Sequence, residues 1–358
     1  MFLIASICVL YVLYGILIFF EDYIPANQKK LIYWGTCIIL IIMAGTREVG
    51  IDPDSESYES TFLNPYSDNV LDTVEFTYIL IAQAFNSITD DVHSLFLVYA
   101  LLGVSLKFLA FRHYSDSWLL IAFMYICFYY ELHETCQIRA GVLSACMLLA
   151  VPCIAEGKRW LAFLWIVIGT CFHMSGVILL PLLFLGNKPL GKYWKIVLAA
   201  SIPFSYVFAG FNLGLEFTSG IPYIGNKIAV YNDIAEKGID GFSSLNLYSP
   251  VHLMTVFLFY ILLYYSDILT EKSRYFPLMM KIMAAAFISY GVFSFIPVIG
   301  ERMGSMYRAI TIVLLPTLVY ILRPKWGGTS LFLMISIFFM YLSLRAIYNI
   351  SSILPVSE

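Results

Sequence analysis

Nearly uncharged apolar runs recur along the chain at residues 2–20, 31–45, 92–106, 117–130, 249–266, 304–322 and 330–344, separated by short polar stretches. None alternates apolar and polar residues with the period of two that a half-buried strand shows, so the pattern predicts helices. A hydrocarbon crossing takes roughly 20 residues of helix. Lipid satisfies no backbone polar group, so only helices and closed barrels span it. We place crossings at about 2–20, 31–45, 92–110, 117–132, 138–155, 160–172, 174–186, 195–211, 250–266, 275–297, 304–321 and 329–348. The predicted fold class is an all-α polytopic membrane protein, one transmembrane domain of about 12 helices with two outer-face insertions. Residues 2–20 lack a basic n-region and a small-residue cleavage site, so they read as a first span rather than a signal peptide. Between 160 and 186, basic residues at both ends (Lys158, Arg159 and Lys188) favour two short helices meeting near His173 over one long tilted helix.

Lysine and arginine accumulate in cytoplasmic loops, and the 21 of them here test the arrangement. With the N-terminus outside, the cytoplasmic turns hold Lys29, Lys30, Lys107, Arg112, Lys158, Arg159, Lys188, Lys192, Lys195, Lys272, Arg274, Lys281, Arg323 and Lys325. The outer side keeps the other seven: Arg47, Arg139, Lys227, Lys237, Arg302, Arg308 and Arg345. The two insertions are then external. Residues 46–91 are acidic and carry an amphipathic helix at 75–88, and residues 212–249 hold the Gly, Pro and aromatic residues of an ordered loop.

Composition agrees: 60% of the residues are hydrophobic and only 13% charged, where soluble proteins are about a quarter charged. Seven cysteines, an odd number without metal-ligand spacing, read as small buried side chains. There is no CxxC, GxGxxG or Walker motif and no basic stripe for nucleic acid.

Ionisable residues at membrane depth or at its edge are expensive, so each needs a function or an internal partner. Arg47, Asp52 and Tyr58 lie in GTREVGIDPDSESY; Glu134, Gln137 and Arg139 in ELHETCQIRAG; His173 in CFHMSG; Arg302, Tyr307 and Arg308 in GERMGSMYRA. Each has a plainer reading. Arg47 and Arg302 can snorkel to headgroups, and His173 can make one buried hydrogen bond. Arg139 opens a helix, where its charge opposes the dipole, and Glu134 or Glu131 can compensate it. Together, four arginines at one depth suit a multivalent oxyanion, because guanidinium keeps its charge and offers phosphate a planar fork. At a bilayer edge, that anion is expected to be a lipid phosphate or pyrophosphate.

The stretch GTREVGIDPDSESYESTF resembles the Arg…Gly-x-Asp…Tyr…Phe block of EpsG-like membrane proteins, QIRAG their Gln-x-Arg block, FHMSG their Phe-His-x-Ser element and ERMGSMY their late Arg…Tyr element. The matches run in order from 47 to 307 and cover most of the chain. The family comprises polytopic proteins of polysaccharide assembly, including O-antigen and exopolysaccharide polymerases. The resemblance implies a glycosyltransferase at the periplasmic face of the bacterial inner membrane. It would move a growing glycan from undecaprenyl pyrophosphate onto a lipid-linked repeat unit, with no nucleotide sugar and no cofactor. Its partners would be undecaprenyl-pyrophosphate-linked oligosaccharides and membrane lipid, with chain length set here or by a separate regulator. A ligase and a flippase for the lipid-linked unit are the rival readings.

In that chemistry Arg139 and Arg302 are expected to stabilise the leaving pyrophosphate, with Arg47 and Arg308 beside them and Tyr58, Gln137 and Tyr307 as further substrate contacts. His173, Glu134 and Asp52 are candidates for the base or for orienting the acceptor. An imidazole titrating near its ordinary value of about 6.5 accepts a proton around neutrality. No carboxylate–histidine spacing suggests a metal.

Overall fold

The computed structural model describes residues 2–211 and 245–348, and no strand occurs among them. The chain forms two compact units, Met1–Leu183 with Leu315–Glu358 and Phe184–Leu314.

In the first unit the helices are α1 (Phe2–Phe20), α2 (Ala26–Gly45), α3 (Ser55–Leu63), α4 (Asp68–Thr73), α5 (Phe76–Asn86), α6 (His93–Tyr114), α7 (Trp118–Phe128), α8 (Ile138–Ala155) and α9 (Arg159–Phe172). A π turn at Glu131–Cys136 joins α7 to α8, and a 3-10 helix, Met174–Phe184, follows α9. The second unit holds α10 (Lys192–Gly210), α11 (Pro250–Tyr264), α12 (Ser266–Lys272), α13 (Phe276–Val292), α14 (Pro297–Arg308) and α15 (Thr311–Leu314). The chain returns to the first unit through a 3-10 helix, Leu315–Tyr320, and α16 (Lys325–Tyr348).

Apolar on every side, α7 becomes the centre of the first unit, and Leu119 to Phe128 are all buried. Around it, α2 packs on α6, α6 on α8, α8 on α9, and α1 on α7 and α16. This packing gathers the C-terminal ends of α2 and α9 and the N-terminal ends of α6 and α8 at one end of the unit. At the opposite end Glu21 accepts the amides of Leu119 and Leu120 at 2.9 and 3.2 Å, capping α7 with negative charge. Lys29 pairs with Glu21 at 2.8 Å and Lys325 with Asp22 at that same end.

Among the described residues five helices are long and apolar enough to cross a membrane, Leu3–Tyr23, His93–Tyr114, Ile138–Ala155, Ile299–Tyr320 and Lys325–Tyr348, and α11 with α12 makes six if that pair, bent by 81°, is one span. Outward faces such as Val9, Val12, Leu13 and Ile16 on α1, or Met334, Ile337 and Tyr341 on α16, are exposed and apolar, as lipid contact requires and water contact disfavours. The protein is thus an all-helical polytopic membrane protein. The other predicted crossings also fold as helices, but α7, α9, the Met174–Phe184 helix and α13 hold only 10–17 residues, less than a full span. From 212 to 244 the loop read over 212–249 lies outside the described residues.

Two basic residues are not where the charge pattern put them, and one of them, Lys281, is buried within α13 with its Nζ on the Gly186 carbonyl at 2.6 Å. Lys107, read as part of a cytoplasmic turn, lies inside α6 with its side chain 0% exposed, paired to Glu134. It therefore drops out of the loop-charge argument.

Candidate functional site

α2 ends at Gly45, and Gly50 (φ 84°), in a conformation that glycine adopts without strain, turns the chain back on itself. The turn delivers Asp52 to Arg47. Asp52 Oδ2 accepts from Arg47 Nε at 3.1 Å, while Oδ1 takes the amides of Asp54 and Ser55 at 3.1 and 3.0 Å and so caps α3. Arg47 Nη1 donates to the Ala44 carbonyl at 2.8 Å, one of the acceptors a helix C-terminus leaves open. Its Nη2 reaches the Thr135 carbonyl in the π turn at 2.7 Å, and the guanidinium lies 3.7 Å over the Phe96 ring. All three nitrogens of this buried arginine thus bond protein atoms, and the pair braces α2, α3 and the π turn.

Next to this brace is a less enclosed cluster centred on Glu75, the residue that precedes α5. Its Oε2 pairs with Arg139 Nη1, while Oε1 accepts from His173 Nδ1 at 2.7 Å and from the Met174 amide at 3.2 Å. Sequence distance hides the arrangement: Arg139 stands in the first turn of α8, and His173 is the extended residue (φ −154°, ψ 117°) between α9 and the 3-10 helix. The predicted break near His173 is present, and it turns the imidazole towards Glu75. Arg139 also lies 5.9 Å from the Tyr58 ring centroid and 5.8 Å from that of Tyr78, within cation–π range. The Arg139 side chain stays 26% exposed and that of His173 18%. Gln137, exposed, is one turn-start away from Arg139. The hydroxyls of Tyr99 and Ser175 are buried without partners near this cluster, the Tyr99 ring tilted against Tyr78 and edge-on to Phe172. Among the described residues no group of three His, Cys, Asp or Glu could hold a metal ion.

The electrostatics favour the ionised Glu75. Burial raises its pKa, but the His173 hydrogen bond and the Arg139 charge outweigh it and hold the carboxyl at about 2 instead of 4.5. A depressed acid contributes stability that is complete above its unfolded value and disappears as pH falls through the folded one. The melting-temperature gap between wild type and Glu75→Gln should therefore be full above pH 4.5 and close towards pH 2. A gap that widens on acidification would contradict the assigned ion pairs.

Glu134, proposed from the sequence as the counter-charge of Arg139, is buried elsewhere. Its Oε1 accepts from Lys107 Nζ at 2.6 Å and from the Tyr125 hydroxyl at 2.7 Å. Glu131 is fully buried with neither oxygen hydrogen-bonded.

The remaining predicted residues belong to the second unit, all on α14. Arg302 is exposed, Tyr307 is buried, and Arg308 is half-buried over the Tyr290 ring at 5.2 Å. Six residues of helix separate the two arginines by about 9 Å along the axis and by about 120° around it, so α14 alone does not aim both at one phosphate. Tyr290 also stacks on His252 at 4.8 Å, a histidine the sequence did not single out.

So far the molecule is a helical membrane protein with a partly exposed arginine–carboxylate–imidazole cluster at one end of its larger unit. It belongs to the EpsG family, whose family model matches residues 30–357. The ordered motifs between 47 and 307 therefore pointed to the right family. The chain is also 24% identical over 341 residues to the amylovoran biosynthesis protein AmsC of Erwinia amylovora, covering 89% of this chain and 86% of the relative. No solved structure matches it.

Proposed function

We propose that the protein is a polysaccharide polymerase of O-antigen or exopolysaccharide type, which joins a glycan carried on undecaprenyl pyrophosphate to a lipid-linked repeat unit. The observation that carries the reading is the Arg139–Glu75–His173 cluster, placed by the folding of a family tied to polysaccharide assembly. The role of the relative in amylovoran biosynthesis points the same way. In this reading about twelve helices cross the inner membrane. The end that carries Lys29, Lys158, Arg159 and Lys325 faces the cytoplasm, following the positive-inside bias. The cluster and both insertions then face the periplasm.

The acceptor hydroxyl oxygen attacks the anomeric carbon of the donor glycan, and the bond from that carbon to the pyrophosphate oxygen breaks, the electron pair leaving with the pyrophosphate. Arg139, whose fork carries five N–H donors, meets the charge that grows on the leaving oxygen. Glu75 accepts the Nδ1 hydrogen of His173, which leaves Nε2 with its lone pair free to take the hydroxyl proton, the logic of a carboxylate-oriented imidazole. Glu75 thus serves both partners without touching the sugar. Arg47 and Asp52 hold the scaffold. Gln137 and Tyr58 line the Arg139 side.

The test is the lipid-linked product in cells that lack the protein. Single repeat units transferred to the terminal acceptor are expected. Units trapped on the inner leaflet would mean lost flipping, and full-length chains still on undecaprenyl pyrophosphate would mean lost ligation. Either of those results would replace this reading.

A further inference from the structure

An apolar slot of about 540 Å³ lies beside the cluster, inside the first unit. One wall comes from α9, where Phe163, Ile166, Val167, Thr170 and Cys171 follow the spacing of a single helical face. The facing wall is the 3-10 helix. At three residues per turn its side chains at i and i+3 eclipse, so Met174, Val177 and Leu180 form a straight apolar ridge. The Thr77 hydroxyl donates to the Cys171 carbonyl at 2.6 Å and ties the start of α5, with Glu75, to α9. Only one charged side chain lines the slot, Glu75, and it joins Arg139 and His173.

We propose that this slot seats the first isoprenoid units of the undecaprenyl pyrophosphate carrier, with the pyrophosphate at the Arg139–His173 end. The inference rests on the polymerase reading and adds a site for the carrier chain to it. Two features select that occupant. The slot offers almost purely apolar contact, which suits a hydrocarbon chain, and its volume falls in the range of about 300–1,000 Å³ typical of ligand pockets. Its polar end can hold a diphosphate, because only Arg139 Nη1 is engaged by Glu75 and the side chain stays 26% exposed, which leaves further guanidinium N–H groups for phosphate oxygens. The 3-10 geometry gains a purpose as well. The eclipsed ridge keeps a straight wall along an extended chain.

The test fills the slot from opposite walls with Val167→Trp and Val177→Trp. Both positions are exposed, so the added rings need not disturb the core, and each variant keeps the test alive if the other misfolds. Binding of radiolabelled undecaprenyl diphosphate to purified protein is measured, with inorganic pyrophosphate and phosphatidylglycerol as competitors. Each tryptophan should weaken undecaprenyl diphosphate binding about tenfold or more, while inorganic pyrophosphate competes within about twofold of its wild-type potency. Unchanged undecaprenyl diphosphate affinity in both variants would overturn the slot assignment, as would displacement by phosphatidylglycerol mole for mole, which would mark a seat for bulk lipid. The polymerase reading fails separately, if cells lacking the protein accumulate units trapped on the inner leaflet or full-length chains still on undecaprenyl pyrophosphate.

Discussion

Arg139→Lys should lower polymer formation by roughly 30- to 1,000-fold, the equivalent of about 2–4 kcal/mol of transition-state stabilisation. Lysine keeps the positive charge and can still pair with Glu75, so the fold of the cluster should survive. What it loses is the planar fork, which lets one nitrogen stay on Glu75 while others reach a phosphate oxygen. Because the loss concerns charge that develops as the glycosidic bond breaks, it should appear in the turnover rate more than in the apparent affinity for donor. The measurement is polymer made from purified lipid-linked repeat units per mole of folded enzyme. Arg139→Ala is a harsher change, since it leaves Glu75 with His173 and the Met174 amide as its only partners. Arg139→Ala combined with Glu75→Gln tests folding: it removes both charges and should regain the stability lost by Arg139→Ala, whereas its polymer reports on Glu75 as well, which orients His173. Near-normal polymer from Arg139→Lys would remove Arg139 from the chemistry.

The sequence made some of this visible and concealed the rest for definite reasons. Each apolar run became a helix, because its periodicity is a local property and local propensity agrees with burial. The break at His173 was legible too, from the basic residues flanking 160–186. The partner of Arg139 was not. A positive charge at a helix start does demand an anion, but nearness in sequence suggested Glu134, five residues earlier, while tertiary packing supplied Glu75 from 64 positions away. One signal was available, an acidic residue directly before the apolar helix Phe76–Asn86, and nothing in the sequence tied it to Arg139. Lys107 misled for a related reason. A lysine late in an apolar run looks like the end of a span, and only the fold distinguishes a snorkelling side chain from one buried against a carboxylate. His252 escaped notice because its role, if any, depends on stacking against Tyr290, which is remote in sequence.

Lys107→Ala should destabilise the first unit by about 3–5 kcal/mol, because it strands Glu134 as an uncompensated charge in the bundle. The pair is enclosed from every side. Lys107 donates to Glu134 at 2.6 Å and to the Gly141 carbonyl at 2.7 Å, and Tyr125 donates to the same carboxylate oxygen. The exposures of the two side chains are 0% and 1%, so water cannot take over from the lost ammonium. Even the space is prepared: at Gly103 a Cβ would collide with the Glu134 carboxylate, so α6 approaches this closely only because glycine stands there. Replacing both charges is a different matter. Buried ion pairs exchanged for neutral groups of similar volume are often as stable as the original, so Lys107→Met with Glu134→Gln should recover most of the melting temperature lost by Lys107→Ala. That double variant also decides whether Glu134, a catalytic candidate on sequence grounds, has any part in the reaction. Its geometry gives it two donors within the bundle and no exposed oxygen, which fits a brace between α6 and the π turn. Polymer formation per folded molecule should therefore stay within about threefold of wild type, a change worth less than 1 kcal/mol. A folded double variant that makes no polymer would return Glu134 to the catalytic machinery, and a double variant no more stable than Lys107→Ala would show that the pair contributes more than charge balance.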